Sequence, residues 1–350
     1  MKEQEQNQDP IQSILAEIRQ LPLQDQARLK DELYASNETS VDLDAVLTST
    51  KFSQGRRCPH CGGDHVHKNG HRKDGSQKYR CVKCGKNFMI TTNTIFQGTR
   101  KSLSTWNKYL NCMEAAKSLK ETEQECDISH GTAFTWRHKL LDAMRKSGDD
   151  IKLVGIVEAD EKYMPISYKG NARHFQENND RRPRKRGSEA VKQGLSNDLV
   201  CVPCAVDNAG HCSAQIAKIG KCSSKAISKA FEGKIVPQAV LCSDGDKSYK
   251  SFAKVNDNIL VQIKAGKKSI KGYNIQRVNN YHSQLETFMR RFNGVSSKYL
   301  NNYLIWHNAI KYCKKYAQNR IKLMLDTASS AQMKVCASTL SKRAEIPILA

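Results

Sequence analysis

Leu153-Val-Gly-Ile-Val-Glu-Ala-Asp160 and Ala239-Val-Leu-Cys-Ser-Asp244 are two short apolar runs that each end on an aspartate, and their reading decides the fold. Runs of this length, rich in β-branched residues and bounded by turn residues, read as strands. LVCVPCAVDN (199–208) and HCSAQIAKI (211–219) lie between them and supply further strands, so this region builds a sheet in an α/β fold. A carboxylate beside a sheet is costly unless it is paired or holds a metal. Asp160 and Asp244, 84 positions apart, are therefore expected in one sheet with their carboxylates at a common end. Such oxygen ligands suit Mg²⁺ or Mn²⁺, and two ions roughly 3.5 to 4 Å apart serve phosphodiester chemistry. Asp207 runs into an Asn-Ala-Gly turn that explains it locally, and Asp246 lies one Gly beyond its strand. Glu158 and Glu161 flank Asp160 and are expected to point to other faces. The third element is expected on a helix, and VNNYHSQLETFMRRF (278–292) carries an apolar stripe of Leu285, Phe288, Met289 and Phe292. Asn279, His282 and Glu286 fall within an arc of about 60° along one edge of that stripe, with Arg290 near the same edge.

The chain has 350 residues, 39% of them hydrophobic, enough for about two or three domains. Its 57 Lys and Arg against 35 Asp and Glu leave +22, which points to a polyanionic partner. No apolar run approaches the roughly 18 to 20 residues of a membrane span, and MKEQEQNQDP lacks a signal peptide's apolar stretch, so a cytoplasmic protein is expected. Thirteen cysteines, an odd number, suit metal ligands and buried thiols better than a disulfide framework.

Four cysteines stand apart. Cys58-Pro-His-Cys61 and Cys81-Val-Lys-Cys84 are two C-x2-C pairs, each followed by the Gly that a tight knuckle needs, and four thiolates in tetrahedral array suit a structural Zn²⁺. Basic residues crowd this module, which reads as a phosphate-contacting zinc ribbon. Downstream, residues 117–143 read as a helix ending near Cys126, a turn through Asp127, Ile128 and Ser129, and a second helix with Ala133, Trp136 and Leu140 on one face. That is helix-turn-helix spacing, with Thr132, Thr135, Arg137 and Lys139 expected on the side that meets a DNA groove. The stretch 169–194 is nearly devoid of apolar residues and reads as a basic loop whose Arg181, Arg182, Arg184, Lys185 and Arg186 grip a phosphate backbone. The expected division is 1–50 for two short helices and a polar linker running on to Gln54, 51–98 for the ribbon, 99–147 for the helix-turn-helix, 150–318 for the sheet domain and 319–350 for a tail.

CPHC, CVKC, TTNTIF (91–96), FTWRHKLL (134–141), VEADEKY (157–163), PRKRG (183–187), LCSDGDKSY (241–249) and VNNYHSQLETFMRRFNGVSSKYLNNYLIW (278–306), taken in order, resemble the transposases of the IS1595 family with their ISXO2-like catalytic domain. The resemblance implies a zinc ribbon and helix-turn-helix joined to a ribonuclease H-like, DDE-type mixed-sheet core. It further implies a Mg²⁺-dependent enzyme that cuts double-stranded DNA at the inverted repeats of a bacterial insertion sequence and directs the freed 3′ ends at target DNA. A homo-oligomer that pairs two ends and associates with the nucleoid when bound goes with that reading. By the same likeness Asp160 and Asp244 are the first two acids, and the third position takes Asn, His or Glu with a following Lys. Glu286 stands where that Lys is expected, so Asn279, His282 and Glu286 all remain candidates. A zinc-ribbon regulator that only binds DNA, and a nuclease that cuts without joining, are the competing readings. Arg and Lys contacts to phosphate release counterions, so affinity for duplex DNA should fall steeply between low and physiological salt in fluorescence anisotropy; a flat profile would count against a nucleic-acid partner.

Overall fold

The computed structural model describes residues 42–148, 151–170, 197–264, 266–267, 269–315 and 335–348, with residues 18, 20–22, 25–26, 324 and 326. The two helices expected between Pro10 and Tyr34, and the basic loop with Arg181, Arg182, Arg184, Lys185 and Arg186, lie outside or almost outside these residues. The polar segment read as a linker instead contains a helix, α1 (Leu43–Lys51). Its cause is local: the Asp42 carboxylate accepts the backbone N–H groups of Asp44 and Ala45, and Leu43 and Leu47, one turn apart, bury themselves in the main core. Three antiparallel strands follow, β1 (Val66–His71), β2 (Gln77–Cys81) and β3 (Asn87–Phe88), in that order across a small sheet. One side of it is closed by Tyr79 stacked on Phe88 at 5.5 Å and met edge-on by Phe52 at 5.1 Å.

Three helices come next, α2 (Leu103–Glu114), α3 (Leu119–Cys126) and α4 (His130–Gly148). A reciprocal capping box starts α3: Glu121 N–H donates to the Ser118 hydroxyl, and Ser118 N–H to the Glu121 carboxylate at 2.8 Å. Asp127, in the left-handed region at φ 48°, ends α3 so that α4 can begin at His130. Ala133, Trp136 and Leu140 are buried, with Trp136 stacked on Trp106 at 3.6 Å.

The opposite side of α4 departs from expectation. Arg137 does not face solvent: it is 1% exposed, donates to the Lys117 carbonyl at 2.7 Å and the Tyr303 hydroxyl at 3.4 Å, and lies over the Trp306 and Phe292 rings. Lys139 is half-buried. The reason is α8 (Leu300–Lys315), which packs along α4 and covers the side where a DNA groove was expected. His138 is fully buried, and Asn302 donates both to it at 3.1 Å and to Asp142 at 3.0 Å. Arg343, just past the short helix α9 (Ala337–Ser341), closes this network by pairing with Asp142.

The larger sheet has β4 (Ile156–Pro165) at its centre. On one side of it β5 (Leu199–Asp207) and then β6 (Cys212–Ala214) run antiparallel, with β7 (Lys218–Ile219) also on β5. On the other, β8 (Val240–Ser243) and β9 (Ile259–Gln262) run parallel. Parallel neighbours need a crossover, and α5 (Ser224–Phe231) and α6 (Ser248–Val255) supply the covering for one face, over Val157, Ala159, Ala205 and Leu241. The other face, with Val200, Val202, Cys204 and Val206, is covered by α7 (Gln276–Arg290) and α8. This second core is continuous with that of α1 to α4. Among the described residues no helix is long and apolar enough to cross a membrane.

Burial, reinforced by the charges of Arg343 and Arg137, depresses His138 to about 3. The unfolded chain takes up a proton near pH 6.5 that the folded one refuses, so this histidine's contribution is full above 6.5 and lost as pH falls toward 3. His138→Gln, which keeps an acceptor for Asn302, should therefore lose less stability between pH 7 and pH 5 than the native chain, by about 2 kcal/mol in urea unfolding.

Candidate active site

The strand β4 alternates. Val157, Ala159 and Glu161 point to the α5–α6 side, while Glu158, Asp160 and Lys162 point to α7. Glu158 was expected on another face than Asp160; with a period of two, residues 158 and 160 share one. Two residues of strand advance about 6.7 Å and four of helix about 6 Å, so β4 and α7 stay in step over three rungs. Glu158 meets the start of α7, Asp160 meets His282, and Lys162 meets Glu286.

The first rung is structural. Glu158, 1% exposed, accepts from Arg277 N–H at 2.6 Å, Val278 N–H at 3.3 Å and the Arg277 guanidinium at 2.7 Å. A buried carboxylate thereby satisfies the free N–H groups at a helix N-terminus. Burial still holds its pKa above the ordinary glutamate value, against those hydrogen bonds.

The second rung brings together two of the residues expected to act. Asp160 Oδ2 lies 3.8 Å from His282 Nδ1, with the carboxylate 23% and the imidazole 11% exposed. Ala159 pairs with Ser243 in the parallel β4–β8 ladder, so Asp244, just past the end of β8, comes level with Asp160. The apolar run was expected to end its strand at Asp160, but β4 continues to Pro165 because β5 pairs with it that far, and Asp160 lies mid-strand. Burial first, and then the charge of Asp244, raises Asp160 to about 6, against the Glu161 N–H and Lys162. Burial and Lys162 hold His282 down at about 4, a neutral imidazole whose Nε2 is buried without a partner. The loop after β8 is fixed by Asp246 N–H donating to the Asp244 carboxylate at 2.9 Å and by Gln262 donating to the carbonyls of both residues. Asp246 itself accepts from Ser248 N–H at 2.7 Å, at the start of α6. Asp207 lies toward the other end of the sheet, opposite Val157, where it holds His211 at 2.8 Å.

The third rung is an ion pair of Lys162 with Glu286, which holds the Glu286 carboxyl below its ordinary pKa. Of the three helix candidates, then, His282 adjoins Asp160, Glu286 is engaged one rung further on, and Asn279 is solvent-exposed. Arg290 is exposed one turn beyond Glu286. Lys162, Arg277 and the capping role of Glu158 escaped the sequence reading. The alternation 158, 160, 162 was the signal for the face, but their partners lie about 120 residues away. Glu161 faces the opposite side, toward Tyr249, where burial raises it to about 7.

Hard oxygen donors on neighbouring strands are what Mg²⁺ or Mn²⁺ takes. The like charge that helps raise Asp160 is what a bound cation would neutralise, so these residues fit a divalent ion. The ribbon fits zinc separately. The Sγ atoms of Cys58, Cys61, Cys81 and Cys84 all lie within 4.8 Å of one another, with Cys58–Cys84 and Cys61–Cys81 at 3.7 Å. A tetrahedron with Zn–S near 2.3 Å has edges of about 3.8 Å. Gly62 and Gly85, following each second cysteine, take φ of 74° and 69°, which allows both knuckles to close.

Residues 152–306 match a family model described as the ISXO2-like transposase domain. The matched span encloses β4, β8 and α7, and so Asp160, Asp244 and His282; the cysteine ribbon and α1 to α4 precede it. No curated protein matches the chain.

Removing the Glu158 carboxylate as Glu158→Ala leaves two backbone N–H groups and a guanidinium without their acceptor. It should cost about 2 to 3 kcal/mol in urea unfolding and speed hydrogen exchange at Arg277 and Val278. Unchanged exchange there would show that the cap does not hold α7.

Proposed function

We propose, from the match of residues 152–306 to the ISXO2-like transposase domain, that the chain is a DNA transposase that hydrolyses a phosphodiester at each transposon end and joins the freed 3′-hydroxyl to target DNA. The observation that carries the proposal is the juxtaposition of mid-strand Asp160 with His282 and with Asp244 at the end of the neighbouring strand, inside the matched segment. The strand order β6-β5-β4-β8-β9, with two antiparallel and two parallel pairings, supports a ribonuclease H-like core.

Asp160 and Asp244 are the residues that would hold Mg²⁺ or Mn²⁺, and a bound ion would supply activation of the attacking oxygen and charge stabilisation of the leaving one. His282 is the third member of the site. Neutral and unpartnered at Nε2, it can orient a phosphate oxygen or hold a proton beside Asp160. Lys162, tied to Glu286 one rung further, places a cation beside this pair, where it favours the ionised Asp160. Arg290 and the loop bearing Arg182, Arg184, Lys185 and Arg186 are the proposed backbone contacts, whereas burial removes Arg137 from that set. Cys58, Cys61, Cys81 and Cys84 are the proposed structural zinc ligands.

A labelled duplex carrying the element's end, incubated with Mg²⁺ or Mn²⁺, tests the proposal. Asp160→Asn and Asp244→Asn should abolish cut and joined products while leaving DNA binding intact. His282→Ala should lower the rate on the order of 10²-fold, with Asn279→Ala close to native. Metal-dependent products that survive Asp160→Asn would overturn the site, and cutting without any joined product would identify a nuclease.

A further inference from the structure

The sequence pointed to α4 as the helix that enters a DNA groove, and the structure takes away its Arg137. That arginine is buried beneath α8, and the partly exposed hydroxyls at the N-terminus of α4 are engaged locally. The Ser129 and Thr132 hydroxyls bond each other at 2.9 Å, Thr135 donates to the Gly131 carbonyl at 2.7 Å, and His130 pairs with Glu123. The neighbouring surface has the wrong sign for DNA: residues 118–129 carry Glu121, Glu123, Glu125 and Asp127 against Lys120 alone.

The ribbon has what that surface lacks. Residues 51–98 hold ten Lys and Arg against two Asp. In its sheet the cross-strand pairs His67–Arg80 and Arg80–Asn87 put these three side chains in one row on the side opposite Tyr79, Cys81 and Phe88. Asn69 joins the same side, donating to Asn87 Oδ1 at 2.9 Å, and alternation adds Lys78. His67, Arg80 and Asn87 are exposed, these strand residues include neither a carboxylate nor an apolar side chain, Val82 stands exposed just past the end of β2, and no ion pair joins Lys78 or Arg80 to a carboxylate among the described residues. Arg and Asn are the side chains that read guanine and adenine edges by paired hydrogen bonds, and a β-ribbon is narrow enough for the major groove.

We infer that this outward face of the ribbon sheet, with Arg80 and Asn87 at its centre, is the surface that reads DNA sequence, and that α2 to α4 form the mount joining it to the catalytic core. The inference rests on the transposase reading, in that its partner is double-stranded DNA. The full chain selects from a pool of duplexes with 25 randomised base pairs, about the length of two helical turns and more, and anisotropy then gives the affinity ratio of selected to unselected duplex. Arg80→Ala and Asn87→Ala should each lower that ratio about tenfold or more. Arg80→Lys, which keeps the charge without the guanidinium fork, should lower the ratio while leaving affinity for unselected duplex near native. Thr132→Ala should leave both unchanged. Equal thermal melts and circular dichroism for native and variant chains exclude simple unfolding. A ratio untouched by the ribbon variants but collapsed by Thr132→Ala, or a native chain that binds duplexes yet enriches none, overturns the inference alone. A native chain that binds no duplex takes the transposase reading down with it.

Discussion

The register between β4 and α7 is the constraint on which the candidate site depends. A strand that advances by two and a helix that advances by four cover nearly equal distances, so three side chains of one meet three of the other without distortion. Glu158 sets that register, because its buried carboxylate is committed to the two N–H groups that begin α7. Once the first rung is made, the second falls on Asp160 and His282 and the third on Lys162 and Glu286. A slip by one residue of strand would turn all three side chains to the opposite face. The least reactive carboxylate of the three on β4 and its flank thus positions the one proposed to act.

The core between α4 and α8 has a comparable influence on how DNA can be approached. It runs unbroken from α1 through α4 to α7 and β5, and Arg137 sits at its junction with the sheet domain. A guanidinium buried without a carboxylate is held there by carbonyl and hydroxyl acceptors and by aromatic faces. Asp142, Asn302 and Arg343 extend the junction to the C-terminal helix. Helices this enclosed suit a support, and the ribbon sheet, whose own small core touches the shared one at Ile90 while Ile95 and Phe96 anchor the following segment there, presents a basic surface among the described residues.

Much of this was legible in the sequence, for identifiable reasons. Asp160 and Asp244 stood out because an acid closing an apolar run is costly unless it has a role. The four cysteines stood out because metal geometry demands a fixed spacing, and the α3–α4 turn because Cys-Asp-Ile-Ser interrupts a helical period. His282, Asn279 and Glu286 could not be told apart, since helical periodicity puts all three on one edge, and only in the fold does His282 come to adjoin Asp160. The helix at 43–51 was missed because it lies in a stretch rich in Ser, Asn and Thr, and its stability comes from an Asp cap and two leucines that bury in the core shared with α2.

Local chemistry, then, sufficed by itself for what depends on neighbours in the chain: the presence of the strands and the acid after β8, the cysteine knuckles, the turn between α3 and α4 and the basic balance of the ribbon. Tertiary structure alone decided what depends on partners far along it. It put Glu158 at the head of a helix nearly 120 residues away, made Arg137 a buried joint in place of a DNA contact, paired Glu286 with Lys162, and brought His282 to Asp160. Periodicity reports which side of an element a residue occupies; only packing reports what stands opposite.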